Sequence, residues 1–132
     1  MIARLTYQLT LIVFATVLAC LIQTTSANTL TEQAVVADQF LSEIQRQAQD
    51  GDTNAQRKLG LIYLTGKHLE KNPEKALHWL EKAAAKNDIE AQKSLGKIYA
   101  DGLGVETDLK KSVEYFELAA SQGDAIAAAF VG

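Results

Sequence analysis

Residues 52–66 read DTNAQRKLGLIYLTG, and residues 88–102 read DIEAQKSLGKIYADG. Laid over each other at an offset of 36, they share Asp52 with Asp88, Ala55 with Ala91, Gln56 with Gln92, Leu59 with Leu95, Gly60 with Gly96, Ile62 with Ile98, Tyr63 with Tyr99 and Gly66 with Gly102. The register continues through Glu70 and Glu106, Lys75 and Lys111, Glu81 and Glu117, Ala83 and Ala119, and Ala84 and Ala120. Thirteen of 36 positions agree without a gap, where ordinary composition gives about two. A third copy opens at Asp124 and sets Ala127 and Gly132 on Ala91 and Gly96. A period of this length marks a repeat architecture, in which each unit buries its apolar face against the next.

Each copy reads as two helices. Ala55, Leu59, Ile62 and Tyr63 fall at i, i+4, i+7 and i+8, one apolar face. Leu77, Leu80 and Ala84 make a second face, with Trp79 and Ala83 beside it. Asn72 is placed to cap the second helix, with Pro73 at the first helical position, where a missing N–H costs nothing. Asp108 stands at the same place in the next copy. The pairs Gly51-Asp52, Asn87-Asp88 and Gly123-Asp124 each offer a left-handed terminator followed by an N-cap. Gly60 and Gly96 fall mid-helix, at a cost of about 1 kcal/mol relative to Ala. That cost is offset where a missing side chain lets two helices approach, and Ala83, Ala84, Ala119 and Ala120 are the expected small surfaces. Trp79, Tyr63, Tyr99, Tyr115 and Phe116 keep repeat register, so they are read as packing groups and not as a stacking platform.

Working towards the amino terminus, residues 29–49 also carry a helical pattern, with Val35, Val36, Phe40, Leu41 and Ile44 apolar. Thr29 and Glu32 have capping-box spacing, so a helix start is expected there. Phe40, Leu41, Ile44 and Ala48 align, 36 residues earlier, with Ala76, Leu77, Leu80 and Ala84. This reads as a degenerate half-repeat closing one end of the stack, its polar face supplied by Gln39, Glu43, Arg46 and Gln47. Before it, residues 5–22 are almost wholly apolar and uncharged, preceded by Arg4 and followed by Gln23-Thr24-Thr25-Ser26-Ala27. A positive start, an apolar stretch and a small-residue exit are the parts of a secretory signal peptide, with cleavage expected near Ala27. A retained membrane anchor and lipidation of Cys20, in the lipobox-like Val17-Leu18-Ala19-Cys20, are the alternatives. The expected organisation is a signal peptide at 1–27, a capping helix at 28–50, and repeats at 51–86, 87–122 and, in part, 123–132.

The string Ala-x-x-x-Leu-Gly-x-Ile-Tyr-x-x-Gly, followed by Trp79 or Tyr115 and an Ala-Ala pair, resembles the Sel-one-like repeat, a relative of the tetratricopeptide repeat. The second copy is the nearer match, since Gly102-Leu103-Gly104-Val105 resembles the family's Gly-x-Gly-Val loop. The first copy has His68 and Leu69 in place of Gly104 and Val105, which leaves its loop path open. The resemblance implies an all-α fold, a right-handed α/α solenoid of helix-turn-helix repeats, whose usual business is binding other proteins.

Charge and composition narrow the partners. Thirteen basic against sixteen acidic residues give a net charge of −3, which argues against a nucleic-acid binder. Cleavage after Ala27 would remove Arg4 and Cys20, leaving a net of −4 and no thiol, which suits an oxidising compartment. A periplasmic or secreted protein is expected, touching membrane only through an uncleaved leader or a lipidated Cys20.

Residue patterns that carry chemistry are few. His68 and His78 are the only histidines, without a cysteine or His-x-x-x-His spacing to make a zinc site. Gly102-x-Gly104 lacks the third glycine and the Lys of a phosphate cradle, and a tight turn explains it. Asp52, Asp88, Asp108 and Asp124 are already used as caps, while Glu81 and Glu117 suit a solvated face. The resemblance extends to cysteine-rich relatives proposed to act on β-lactams, but their paired cysteines are missing here. The reading is therefore no enzyme, no metal and no cofactor, and an exported module that binds a protein or peptide. An envelope enzyme or glycan-binding protein built on the repeat is the alternative. Arg57 and Lys58 align with Lys93 and Ser94, and Leu61 with Lys97. Stacked first helices lie about 8–10 Å apart, which would gather Arg57, Lys58, Lys93 and Lys97 into a basic patch for an acidic ligand. At the other end, Ala125 to Gly132 stops halfway through a first helix, too short to be stable alone. Continuation into further repeats is the favoured reading, with fraying or docking against another chain as the alternatives, and residues 125–132 are expected to exchange their amides faster than residues 59–64.

Overall fold

The computed structural model describes the backbone of residues 2–132 and the side chains of residues 8–23 and 29–132. Arg4 and the expected cleavage point at Ala27 lie outside the described side chains. The described residues form six helices and no strand: α1 (Ile2–Gln49), α2 (Thr53–Thr65), α3 (Pro73–Ala84), α4 (Ile89–Asp101), α5 (Leu109–Ser121) and α6 (Ala125–Val131). The chain divides into two compact units, Met1–Gln39 and Phe40–Gly132.

From Ile2 onward the first unit is helix, and Thr29 sits inside α1 and not at its start. The capping-box expectation is corrected here, for a simple reason. Residues 1–50 contain neither Gly nor Pro, so nothing halts a helix once it is nucleated. Leu11, Ile12, Val13 and Phe14 are all exposed, and at 100° per residue they point to every side of the helix. Val35 and Val36 are exposed too. No helix among the described residues is long and apolar enough to cross a membrane.

The second unit is the α-solenoid, with each helix from α2 to α6 packed on its neighbour in sequence. Asp52, Asp88 and Asp124 cap α2, α4 and α6 by accepting the amides of Ala55, Ala91 and Ala127 at 2.6, 2.8 and 2.7 Å. Asn72 and Asp108 do the same for α3 and α5. Gly51, Asn87 and Gly123 take positive φ, 95°, 63° and 92°, as left-handed terminators. Behind each, the amides of Asp52, Asp88 and Asp124 donate to the carbonyls of Gln47, Ala83 and Ala119. These carbonyls are 36 residues apart, so the end of α1 behaves as the end of a repeat.

Leu41, Ile44 and Ala48 are buried, whereas Phe40 is 58% exposed. Ile44 and Ala48 pack with Ala55 and Leu59 in one core cluster, and Leu80 and Ala84 pack with Ala91 and Leu95 in the next. The third, around Phe116, Ala119 and Ala127, is smaller. Its counterpart of Leu59 and Leu95 is Val131, exposed by 38% against 1% and 0%.

The two mid-helix glycines make close approaches, but not to the alanine pairs. A Cβ on Gly60 would lie 2.7 Å from Leu80 Cγ, and one on Gly96 would lie 2.8 Å from the Phe116 ring. A large side chain from the second helix seats over each missing Cβ, a knob in a notch and not two small surfaces touching. Ala83 and Ala119 are fully buried and Ala84 nearly so, while Ala120 is half-buried. The first copy's loop resolves as a copy of the second's: His68 takes φ 68°, where Gly104 takes 78°. The amides of Asn72 and Asp108 close the two loops on Tyr63 and Tyr99 carbonyls, both at 2.9 Å.

Candidate functional site

The basic residues singled out by repeat alignment divide into two pairs. Arg57 and Lys93 point along the array to the cap of the following copy. Arg57 Nε lies 3.4 Å from Asp88 Oδ2, and Lys93 Nζ lies 3.0 Å from Asp124 Oδ2. Both spans are 31 residues, so one residue position ties each first helix to the next. Arg57 also donates to Asn54 at 2.7 Å, and Lys93 pairs with Glu90 at 2.7 Å. Hydrogen bonds to Glu90 and Asp124 raise the Lys93 pKa above its ordinary value. The Ala127 amide and the Lys93 ammonium hold the Asp124 carboxyl below its usual range. These two cations are committed to the frame. Lys58 and Lys97 are exposed, and among the described residues neither is in an ion pair.

A buried polar pair accompanies the ion pairs. Gln56 and Gln92 are 4% and 1% exposed, and each donates to the last turn of the preceding helix, at Ala48 O (3.1 Å) and Ala84 O (3.3 Å). Gln122 then donates to Gln92 Oε1 at 2.8 Å. In the preceding copy Lys86 stands where Gln122 would be and donates to the Gly51 carbonyl instead, leaving Gln56 Oε1 buried without a partner among the described residues. Both glutamines matched in the repeat register, but their role needed the neighbouring helix end to be seen.

A groove of about 720 Å³ opens between α4, α5 and α6. Lys93, Lys97 and Asp101 stand on its α4 side, Leu109, Val113 and Phe116 on its α5 side, and Ile126 and Phe130 on α6. Leu109, Ile126 and Phe130 are each about two-thirds exposed, at 66%, 63% and 66%. The Phe130 ring stacks on Phe116 with centroids 4.6 Å apart. Two of the four singled-out cations thus line the groove, while Arg57 and Lys58 lie outside it. The apolar wall went unread in the sequence, yet it leaves a signal. Leu109 and Val113, then Ile126 and Phe130, each stand at i, i+4 off the core face of their helices.

Catalytic constellations are scarce on the surface. A Ser-x-x-Lys spacing, contrary to the expectation that the chain has none, occurs as Ser94-Leu95-Gly96-Lys97. Ser94 Oγ donates to the Glu90 carbonyl at 2.7 Å, a backbone bond within its own helix. His78 is exposed and meets the edge of Trp79, with ring centroids 5.3 Å apart. Among the described residues no group of three His, Cys, Asp or Glu side chains could hold a metal ion.

Comparison with known proteins now gives this architecture its place. The Sel1 repeat family matches residues 53–88 and 89–124. A Sel1 repeat protein from Oxalobacter formigenes is 37% identical, superposes with a TM-score of 0.63, and covers 69% of this chain and 68% of its own. The cysteine rich protein B of Helicobacter pylori is 28% identical, with a TM-score of 0.66 and coverage of 70% of each chain. A protective antigen present in uropathogenic Escherichia coli strains, displaying an SLR fold, is 41% identical with a TM-score of 0.59. That similarity covers 61% of this chain but only 17% of the antigen. No curated protein matches. With both repeats matched over more than half of its length, the chain belongs to the Sel1 repeat family, whose members are typically protein–protein interaction scaffolds.

Proposed function

We propose that this protein is an exported, non-catalytic scaffold of the cell envelope that binds a protein or peptide partner. The Sel1 repeat architecture carries the reading, since members of the family are typically protein–protein interaction scaffolds. On this chain a groove of about 720 Å³ has aliphatic and aromatic walls with Lys93, Lys97 and Asp101 at its edge, apolar inside and polar at the rim as docking surfaces are. Several polar groups of the array serve its structure: Asp52, Asn72, Asp88, Asp108 and Asp124 cap helices, and Arg57 and Lys93 join successive copies. Export is supported by the uncharged apolar stretch at residues 5–22. A helix that is apolar on every side has no core of its own to face, which suits recognition by an export apparatus and later removal.

Capture on the tagged full chain from a cross-linked envelope extract tests the scaffold. A stoichiometric protein partner is expected. Recovery of peptidoglycan fragments alone would replace the reading with a glycan-binding one. Fractionation with amino-terminal sequencing tests export, the expected mature protein beginning near Asn28 outside the cytosol. An intact Met1 terminus in the cytosolic fraction would overturn it.

A further inference from the structure

We propose that the line of lysines along α3 is the docking site for an acidic segment of the partner protein. The inference rests on the scaffold reading and specifies where the partner binds and by what chemistry.

Lys75, Trp79 and Lys82 fall at i, i+4 and i+7 on α3, and Lys86 follows in the turn that closes the helix. The three lysines are exposed and Trp79 is half-buried. Among the described residues none of the three is in an ion pair, and each rests on a neutral group. Lys75 Nζ lies 5.3 Å from the centre of the Tyr63 ring, and Lys82 Nζ lies 4.6 Å from the centre of the Trp79 ring. Lys86 donates to the Gly51 carbonyl. A ring face or one carbonyl leaves the other donors of an ammonium turned to water. An exposed lysine ordinarily loses rotamer freedom when a partner binds. Here the side chains are already propped in place, which pre-organises the cations for carboxylates.

The equivalent lines on the neighbouring copies carry no such charge. On α5 the same positions are Lys111, Tyr115, Leu118 and Gln122. That single cation is answered: Lys111 Nζ lies 5.0 Å from the centre of the Tyr99 ring, whose hydroxyl donates to Glu81 at 3.4 Å. At the end of α1 the positions of Trp79, Lys82 and Lys86 belong to Glu43, Arg46 and Asp50, and Arg46 pairs with both acids at 2.7 Å. Thirty-six residues before Glu81 stands Gln45, so the carboxylate that serves Tyr99 has no counterpart at Tyr63. Glu74 and Glu81 precede Lys75 and Lys82 by one residue, about 100° round the helix. Three uncompensated cations in line, on a chain of net charge −3, select an acidic occupant. Lys75 and Lys82 are about 10 Å apart along the axis at 1.5 Å per residue, a distance an extended chain crosses in about three residues. The occupant is a short acidic segment that sets carboxylates at this spacing, with an aliphatic side chain between them on Trp79.

The probe is the capped peptide Glu-Glu-Leu-Glu-Glu-Glu, titrated into the full chain at low salt. Trp79 is the only tryptophan, so its emission reports the site directly, and calorimetry measures the same affinity. Saturable binding that weakens with salt is expected, and the peptide with glutamine for every glutamate should give none. The triple variant Lys75→Gln, Lys82→Gln, Lys86→Gln should bind about tenfold more weakly, roughly a factor of two for each exposed charge pair. The control triple Lys58→Gln, Lys97→Gln, Lys110→Gln removes the same charge elsewhere and should bind as wild type does. All six lysines are exposed, and cooperative circular dichroism melting will show that both triples fold. No saturation up to roughly 1 mM, or equal weakening in the two triples, would overturn the proposal. Binding of phosphatidylglycerol vesicles that needs the α3 lysines, with none of the peptide, would also overturn it and make the occupant a membrane surface. If the envelope partner is captured equally by the α3 triple, this docking site fails while the scaffold reading stands. If wild type captures no protein but binds the peptide as expected, the scaffold reading fails and the acidic-segment site stands.

Discussion

His68 holds φ 68° at a position where the second copy uses glycine. A left-handed non-glycine residue costs about 1–2 kcal/mol, and glycine gives back about 0.5–1 kcal/mol through its freer unfolded chain. His68→Gly should therefore stabilise the protein by about 0.5 kcal/mol, raising Tm by roughly 2–4 °C in thermal denaturation. Gly96 obeys the opposite logic. Alanine favours a helix by about 1 kcal/mol, but its methyl would meet the Phe116 ring at 2.8 Å, and overpacking typically costs about 1–3 kcal/mol. Gly96→Ala should lower stability in denaturant titrations. In a Phe116→Ala background the same change should become neutral or favourable. A double-mutant cycle with no coupling would refute the knob-and-notch account.

At the scale of the element, the recurring unit is a helix tied forward to the next cap. Lys93 and Asp124 fasten α6, a helix of seven residues, too short to persist without tertiary contacts. The folded-state pKa of Asp124 is depressed, so its contribution is present above the unfolded value near 3.9. It is lost as pH falls through the lower folded value. The Lys93 shift is upward, so its share is full below the unfolded lysine value near 10.4 and fades only above it. Amide exchange should therefore show residues 125–131 losing protection selectively as pH drops below about 4. Lys93→Ser should reproduce the loss at neutral pH. Protection that ignores both treatments would show that α6 is held by Ala127 and Phe130 alone.

Across the whole molecule, stability in a repeat array is close to a sum of nearest-neighbour terms, so it follows what each interface buries. Ile44, Ala48, Ala55 and Leu59 are buried in one cluster, whereas Ile126, Phe130 and Val131 are exposed. Residues 125–132 should exchange markedly faster than residues 59–64. Equal, concentration-independent protection at both places in the free chain would contradict the ordering.

The 36-residue register, the caps and the left-handed turns were legible because each depends on one residue type at one position. Aspartate reaches an amide three residues ahead, and glycine or asparagine tolerates positive φ, whatever lies across the chain. The uninterrupted α1 was not legible, because a capping box is a local pattern that acts only where the chain enters a helix, and Thr29 lies inside one. The fate of the cations was also out of reach. Arg57 and Lys93 look like Lys58 and Lys97 in sequence, and only the packing of one copy on the next turns the first two towards Asp88 and Asp124. The groove belongs to the same class. Val113 and Leu77 are equivalent letters of the repeat, one exposed and one buried, because burial is decided by the next element in space and not by the residue itself.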